Sequence, residues 1–135
     1  MMTYHSNIKA GDIFHARYLN YKGTEKRHYF YCIYAQADDP NNTLTEDIIG
    51  LMISSNTKFE RLEEQGVNDY NVQVEIFGKK SWVCADKSFR FMLSDSTCEI
   101  EKKKISLTEK EKSEILNKYS RFYLEATRQM IANEK

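Results

Sequence analysis

Residues 71–77, NVQVEIF, alternate apolar and polar side chains: Val72, Val74 and Ile76 fall on one face, Gln73 and Glu75 on the other. A period of two is the repeat of a half-buried β-strand. GDIFHARYL (11–19), opened by a Gly-Asp turn, reads as a first strand, and HYFYCIYAQ (28–36) as a second, its aromatic residues suited to a pleated, partly buried surface. DIIGLMISS (47–55) is a near-continuous apolar run ending in two serines, and Gly50 inside it marks a bulge or the close approach of another backbone. After NVQVEIF the segment GKK turns the chain into SWVCAD (81–86), predicting a hairpin. KSFRFML (87–93) fits a short helical turn or a further strand.

The pattern changes in two places. Residues 56–69 are polar, with a short helix-like patch before Gly66, and read as an excursion rather than a strand. SLTEKEKSEILNKYSRFYLEATRQMI then carries Ile115, Leu116, Tyr119, Phe122, Tyr123 and Met130 at helical spacing, a stripe expected to pack on the core. Thr108 at the N-cap and Glu111 three residues on form a capping box, so a helix is predicted over about 109–131. The lone Pro40, in DDPNN, marks a turn, and no repeat, low-complexity tract or linker divides residues 1–135. Four to six short antiparallel strands and one C-terminal helix predict a single mostly β domain, a small barrel closed by that helix.

Composition narrows the function more than the fold. With 41% apolar and 30% charged residues, the 135-residue chain has the make-up of an ordinary globular domain. No segment approaches the roughly 18 apolar residues of a membrane span. MMTYHSNIKAGD lacks the apolar centre of a secretory signal, so a cytoplasmic location is expected. Cys32, Cys84 and Cys98 are odd in number and lack C-x-x-C spacing; Cys32 and Cys84 sit in apolar runs and read as small hydrophobes. His5, His15 and His28 have no carboxylate or thiol at ligand spacing, so no metal site is expected. Net charge is zero but uneven: residues 16–36 hold Arg17, Lys22, Lys26 and Arg27 against Glu25, and 37–75 hold nine acids against Lys58 and Arg61. A uniformly basic nucleic-acid coat is excluded, a local basic groove is not.

The chemistry concentrates in GTEKRHYFYCIYAQ (23–36), where Glu25, Lys26, Arg27 and His28 stand at the entrance to the second strand. A guanidinium stays ionised and offers forked donors matched to phosphate oxygens, and an imidazole titrates near neutrality. Arg27 is equally readable as a solvated loop charge, His28 as a packing or capping residue, and Ser54 and Ser55 as the end of a strand.

The order of these segments resembles the PemK/MazF/Kid family of toxin ribonucleases. KAGDIF is similar to the family's opening G-D-I/V strand, GTEK (23–26) to its G-S-E-Q loop, and IIGLMISSN to its third strand, which ends in Thr or Ser. VCADKSFR resembles its A-D-Q-V-R segment, and ISLTEKEKSEIL the entry to its final helix. Here Arg27 follows Glu25 by two residues and His28 stands where the family has Pro, so the loop is shorter, and 56–69 is an insertion. The resemblance implies an SH3-like barrel and metal-independent cleavage of single-stranded RNA, by 2′-OH attack on the adjacent phosphate, with no cofactor. It implies Arg27 as charge stabiliser, Ser54 as hydroxyl donor, Glu25 as proton acceptor or as the group orienting Arg27, and His28 as acid or base. Arg17, Tyr21, Lys22, Lys26, Ser55, Lys79 and Lys80 would line the RNA path, with Tyr18 a further stacking candidate, whereas Trp82 reads as core or dimer interface. A homodimer and an antitoxin with a disordered acidic tail are the implied partners. The competing reading is a non-catalytic protein-binding module, or a gyrase-poison-like toxin, on the same barrel.

Overall fold

The register of the first hairpin is set by a five-residue turn. Asn20 Oδ1 accepts hydrogen bonds from the backbone N–H groups of Lys22 and Thr24, both at 2.9 Å, and Gly23, at φ +78°, completes the reversal. Strand β1 (Asp12–Leu19) therefore pairs antiparallel with β2 (Glu25–Ala35), placing Leu19 opposite Glu25, Arg17 opposite Arg27 and His15 opposite Tyr29. β2 starts three residues before the hydrophobic pattern does: Glu25, Lys26 and Arg27 are strand rather than loop, because the tight turn pairs them with β1.

The computed structural model describes residues 8–35, 47–56, 58–64, 70–92 and 97–133. The turn read at Pro40, the excursion's end at Gly66, His5 and the side chain of Met130 lie outside the described residues. Strands β3 (Asp47–Ser54), β4 (Asn71–Ile76), β5 (Lys79–Met92) and β6 (Glu99–Ser106) complete a six-stranded antiparallel sheet in the order β4-β5-β3-β2-β1-β6. KSFRFM (87–92) is thus strand, continuing β5 through a register break against β3 between Leu51 and Ile53, and Leu93 lies outside the described residues. The β4–β5 turn is Phe77–Gly78, so Lys79 and Lys80 already belong to β5. β6 carries three consecutive lysines, which hide its alternation, yet Ile100 in it is fully buried.

The sheet curls strongly into a half-barrel of SH3-like type. Its two faces differ. Phe14, Phe30 and Phe91 lie on one, the aromatic face, joined by the half-buried Tyr18 and Phe89. β1 and β5 are three ladder steps apart, about 14 Å on a flat sheet. Yet the Phe14 and Phe91 rings are 5.7 Å apart and those of Tyr18 and Phe89 5.9 Å, so the sheet wraps around this face. Gly50 permits the closure: a Cβ there would come within 2.8 Å of Phe14 Cζ and 2.9 Å of Phe30 Cβ.

The opposite face, with Ile13, Tyr31, Leu51, Ile53 and Val83, is covered in part by Leu107, just before helix α2 (Glu109–Asn133), and by Ile115 and Tyr119 of that helix. The capping box forms: Thr108 Oγ1 accepts from Glu111 N–H at 3.1 Å, and Thr108 N–H donates to Glu111 Oε1 at 2.8 Å. The predicted stripe divides, however. Ile115 is buried and Tyr119 and Phe122 half-buried, whereas Leu116 and Tyr123 are exposed, because each residue turns about 100° around the axis and the helix rests on the sheet by a narrow seam. Part of the 56–69 excursion is helix α1 (Lys58–Glu64), whose Phe59 stacks on Trp82 at 6.0 Å and buries it. Among the described residues no helix is long and apolar enough to cross a membrane.

Candidate active site

Beyond the edge of α2 the same face continues uncovered across β6, β1 and β2. Strand alternation brings His15, Arg17 and Leu19 of β1 to it, with Tyr29, Arg27 and Glu25 opposite them on β2. β6 adds Glu101 opposite His15 and Glu99 opposite Arg17. An open cleft of about 560 Å³ results, lined by His15, Arg17, Arg27, Glu99, Glu101 and their β6 neighbours Ile100 and Lys102.

The two arginines of this row are not equivalent. Arg17 donates from Nη1 to Glu25 Oε1 at 2.8 Å, from Nε to Glu99 Oε2 at 3.2 Å, and from Nη2 to Glu99 Oε1. These two carboxylates raise its pKa and engage all three of its nitrogens. Arg27 donates through Nε alone, to Glu25 Oε2 at 3.0 Å. Among the described residues nothing engages its Nη1 or Nη2, and its side chain is 62% exposed. Glu25, bonded to Arg17 and Arg27, is held below the usual carboxylate range. With both oxygens accepting from arginines it is suited to orienting Arg27 and poorly suited to taking a proton.

His15 sits one row along from Arg27, its ring edge-on to Tyr29 at 5.1 Å. Burial lowers its pKa, and the positive charges of Lys103 and Arg27 lower it further, against a smaller opposing effect of Glu101. The imidazole is therefore mostly neutral at neutral pH, the form that accepts a proton.

A second, shallower cleft of about 380 Å³ at the end of β3 touches Arg27, His28, Tyr29, Ser54, Ser55 and Asn56. Arg27 and Ser54 thus meet at one corner of the molecule, but their side chains belong to opposite faces. Ser54 pairs with Trp82 of β5, and its Oγ accepts from Asn56 N–H at 3.2 Å, opening the turn into α1. His28 belongs to the aromatic face, edge-on to Phe30 at 6.3 Å, its pKa lowered by burial and then by Lys26. Strand alternation separates Glu25 and Arg27 from His28 and Ser54. The hydroxyl on Arg27's side is that of Ser55, which lines a third cleft of about 280 Å³ with Tyr29, Phe77, Lys79 and Ser81.

The expected RNA-path residues are dispersed. Tyr21, 91% exposed at the tip of the first hairpin, has Lys22 Nζ 5.6 Å over its ring. Lys26 is exposed and pairs with Tyr18 on the aromatic-face side of the ladder, and Tyr18 is packed among aromatic rings rather than presented to a base. Lys79 borders the Ser55 cleft, whereas Lys80 faces away from it, opposite Glu75. Arg17 lies in the first cleft but is held by two carboxylates, each of its three nitrogens donating to one of them.

Sequence reasoning passed over His15. Its signal is the i, i+2 spacing to Arg17, which becomes meaningful only once the hairpin register sets both opposite Tyr29 and Arg27. Cys32 and Cys84 are buried, and burial pushes the Cys84 thiol up to about 11, so it is no nucleophile near neutrality. Among the described residues no group of three or more His, Cys, Asp or Glu side chains is arranged to hold a metal ion. No protein-family model matches this chain, and no curated protein matches its sequence.

Proposed function

We propose that this protein is an endoribonuclease of the toxin type, cleaving single-stranded RNA without a metal. The observation that carries the reading is Arg27: its Nε is fixed by Glu25, no described residue engages its terminal nitrogens, and it lines an open cleft together with the His15 imidazole, whose pKa is lowered. The 2′-oxygen forms a bond to the adjacent phosphorus as its proton passes to His15. Arg27 binds non-bridging oxygens on which charge accumulates, and the Ser55 hydroxyl donates to one of them. The bond from phosphorus to the 5′-oxygen then breaks, and the leaving oxygen takes a proton from water. A 2′,3′-cyclic phosphate and a 5′-hydroxyl are the products. Glu25 is a positioning residue here, and Ser54 and His28 shape the corner without touching the phosphate.

The homodimer and the acidic antitoxin belong to the same proposal. Leu116, Tyr123 and Leu124, each more than half exposed on α2, offer apolar surface that a partner would cover. That surface also favours the alternative, a protein-binding module without catalysis. Incubating the purified chain with single-stranded RNA in EDTA and mapping the ends separates the two. Cyclic-phosphate and 5′-hydroxyl ends are expected; RNA left intact overturns the nuclease reading.

A further inference from the structure

We propose that Phe77, backed by Tyr29, is a nucleobase-stacking subsite for the single-stranded RNA whose backbone Arg27 engages. The proposal rests on the endoribonuclease reading for the identity of its occupant, but on separate observations for its place. Phe77 and Gly78 form the two-residue turn between the paired Ile76 and Lys79, and both have positive φ, +51° and +76°. Such a turn favours Asn-Gly, because a bulky side chain at positive φ crowds its own backbone. Among the described residues Phe77 is the one non-glycine residue in this conformation.

Burial does not compensate for the strain. Phe77 is 58% exposed, and its one ring neighbour among the described residues is Tyr29, at 5.8 Å and tilted by 56°. The rings are too close to admit a base between them, so the free face of Phe77 is the platform and Tyr29 its support. Phe77 also lines the cleft that holds Ser55 and Lys79, and Tyr29 and Ser55 are shared with the adjoining cleft that holds Arg27. A strand passing from one cleft to the other meets a guanidinium, a hydroxyl, an aromatic face and an ammonium, the combination that holds single strands by phosphate and base together. Strained side chains persist where a function uses them.

The test measures fluorescence anisotropy of a labelled 2′-O-methyl RNA hexamer, which cannot be cleaved, alongside thermal melting. The proteins are the wild type, Phe77→Asn and Phe77→Trp. Phe77→Asn relieves the turn and is expected to melt higher while binding about tenfold more weakly, the effect of losing one stacked base. Phe77→Trp is expected to bind at least as tightly as the wild type. If Phe77→Asn binds like the wild type, the subsite is overturned, even where the wild type cleaves RNA. A wild type that binds in a Phe77-dependent manner but cuts no RNA sustains the subsite and overturns the nuclease. A wild type that binds no hexamer overturns both, and leaves a protein partner as the occupant of this surface.

Discussion

Two arginines in one cross-strand row show how little residue type alone decides. Arg17 and Arg27 face each other across the first hairpin, but Glu99 completes the ring around Arg17 and leaves the fork of Arg27 open. Glu25→Gln is expected to loosen Arg27 and lower kcat by about tenfold or more, since small misplacements of a catalytic group are costly. A cleavage rate unchanged in that variant contradicts the positioning role. In the proposed mechanism His15 gives the pH dependence: it accepts a proton only when neutral, and its pKa lies below the ordinary 6.5. Activity is therefore expected to hold through about pH 6.5 and fall only as pH drops through the lowered value. In kcat/KM profiles His15→Gln should lower the plateau and abolish that acid limb, whereas His28→Gln should preserve it. Arg27 stood out in the sequence only through the family resemblance, since a guanidinium at a strand entrance reads equally well as a solvated charge. His15 did not, since a lone histidine in an apolar strand carries no sign of its cross-strand neighbours.

At the scale of elements, legibility follows the strength of the alternation. β1, β4 and α2 announce themselves by period and caps, while β6 is masked by Lys102, Lys103 and Lys104 and recognisable only by Ile100 between charges. The most consequential error is one of parity. Ser54 and Ser55 are equivalent as letters, but a single step along β3 decides which hydroxyl shares a face with Arg27, and pairing with Trp82 decides it for Ser55. The cleavage rate should accordingly fall more in Ser55→Ala than in Ser54→Ala; the reverse order would return the hydroxyl role to Ser54. Gly50, read from sequence as a bulge or the close approach of another backbone, lies beside a register break in the β2–β3 ladder, and what approaches it closely is two phenylalanine side chains rather than backbone. Gly50→Ala is expected to cost about 1–3 kcal/mol in urea denaturation by overpacking the curl, and an unchanged midpoint contradicts the closure described here.

For the molecule as a whole, a mostly β half-barrel with a C-terminal helix was readable because turns and periodicities agree along most of the chain. The split of the site between two faces was not, because it depends on the registers of three ladders at once. Stability should follow the histidines. Burial lowers the folded pKa of both His15 and His28, so the unfolded chain binds protons first as pH falls below the ordinary 6.5. Melting temperature is thus expected to decline from about pH 7 toward pH 5; a rise over that range would show the histidines gaining rather than losing charge-stabilising partners on folding. The most direct measurement is the single-turnover cleavage of a single-stranded RNA in EDTA by the wild type and by folded Arg27→Ala. The account predicts cyclic-phosphate products from the wild type and a rate about a hundredfold or more lower in the variant. Equal rates for the two proteins would contradict it.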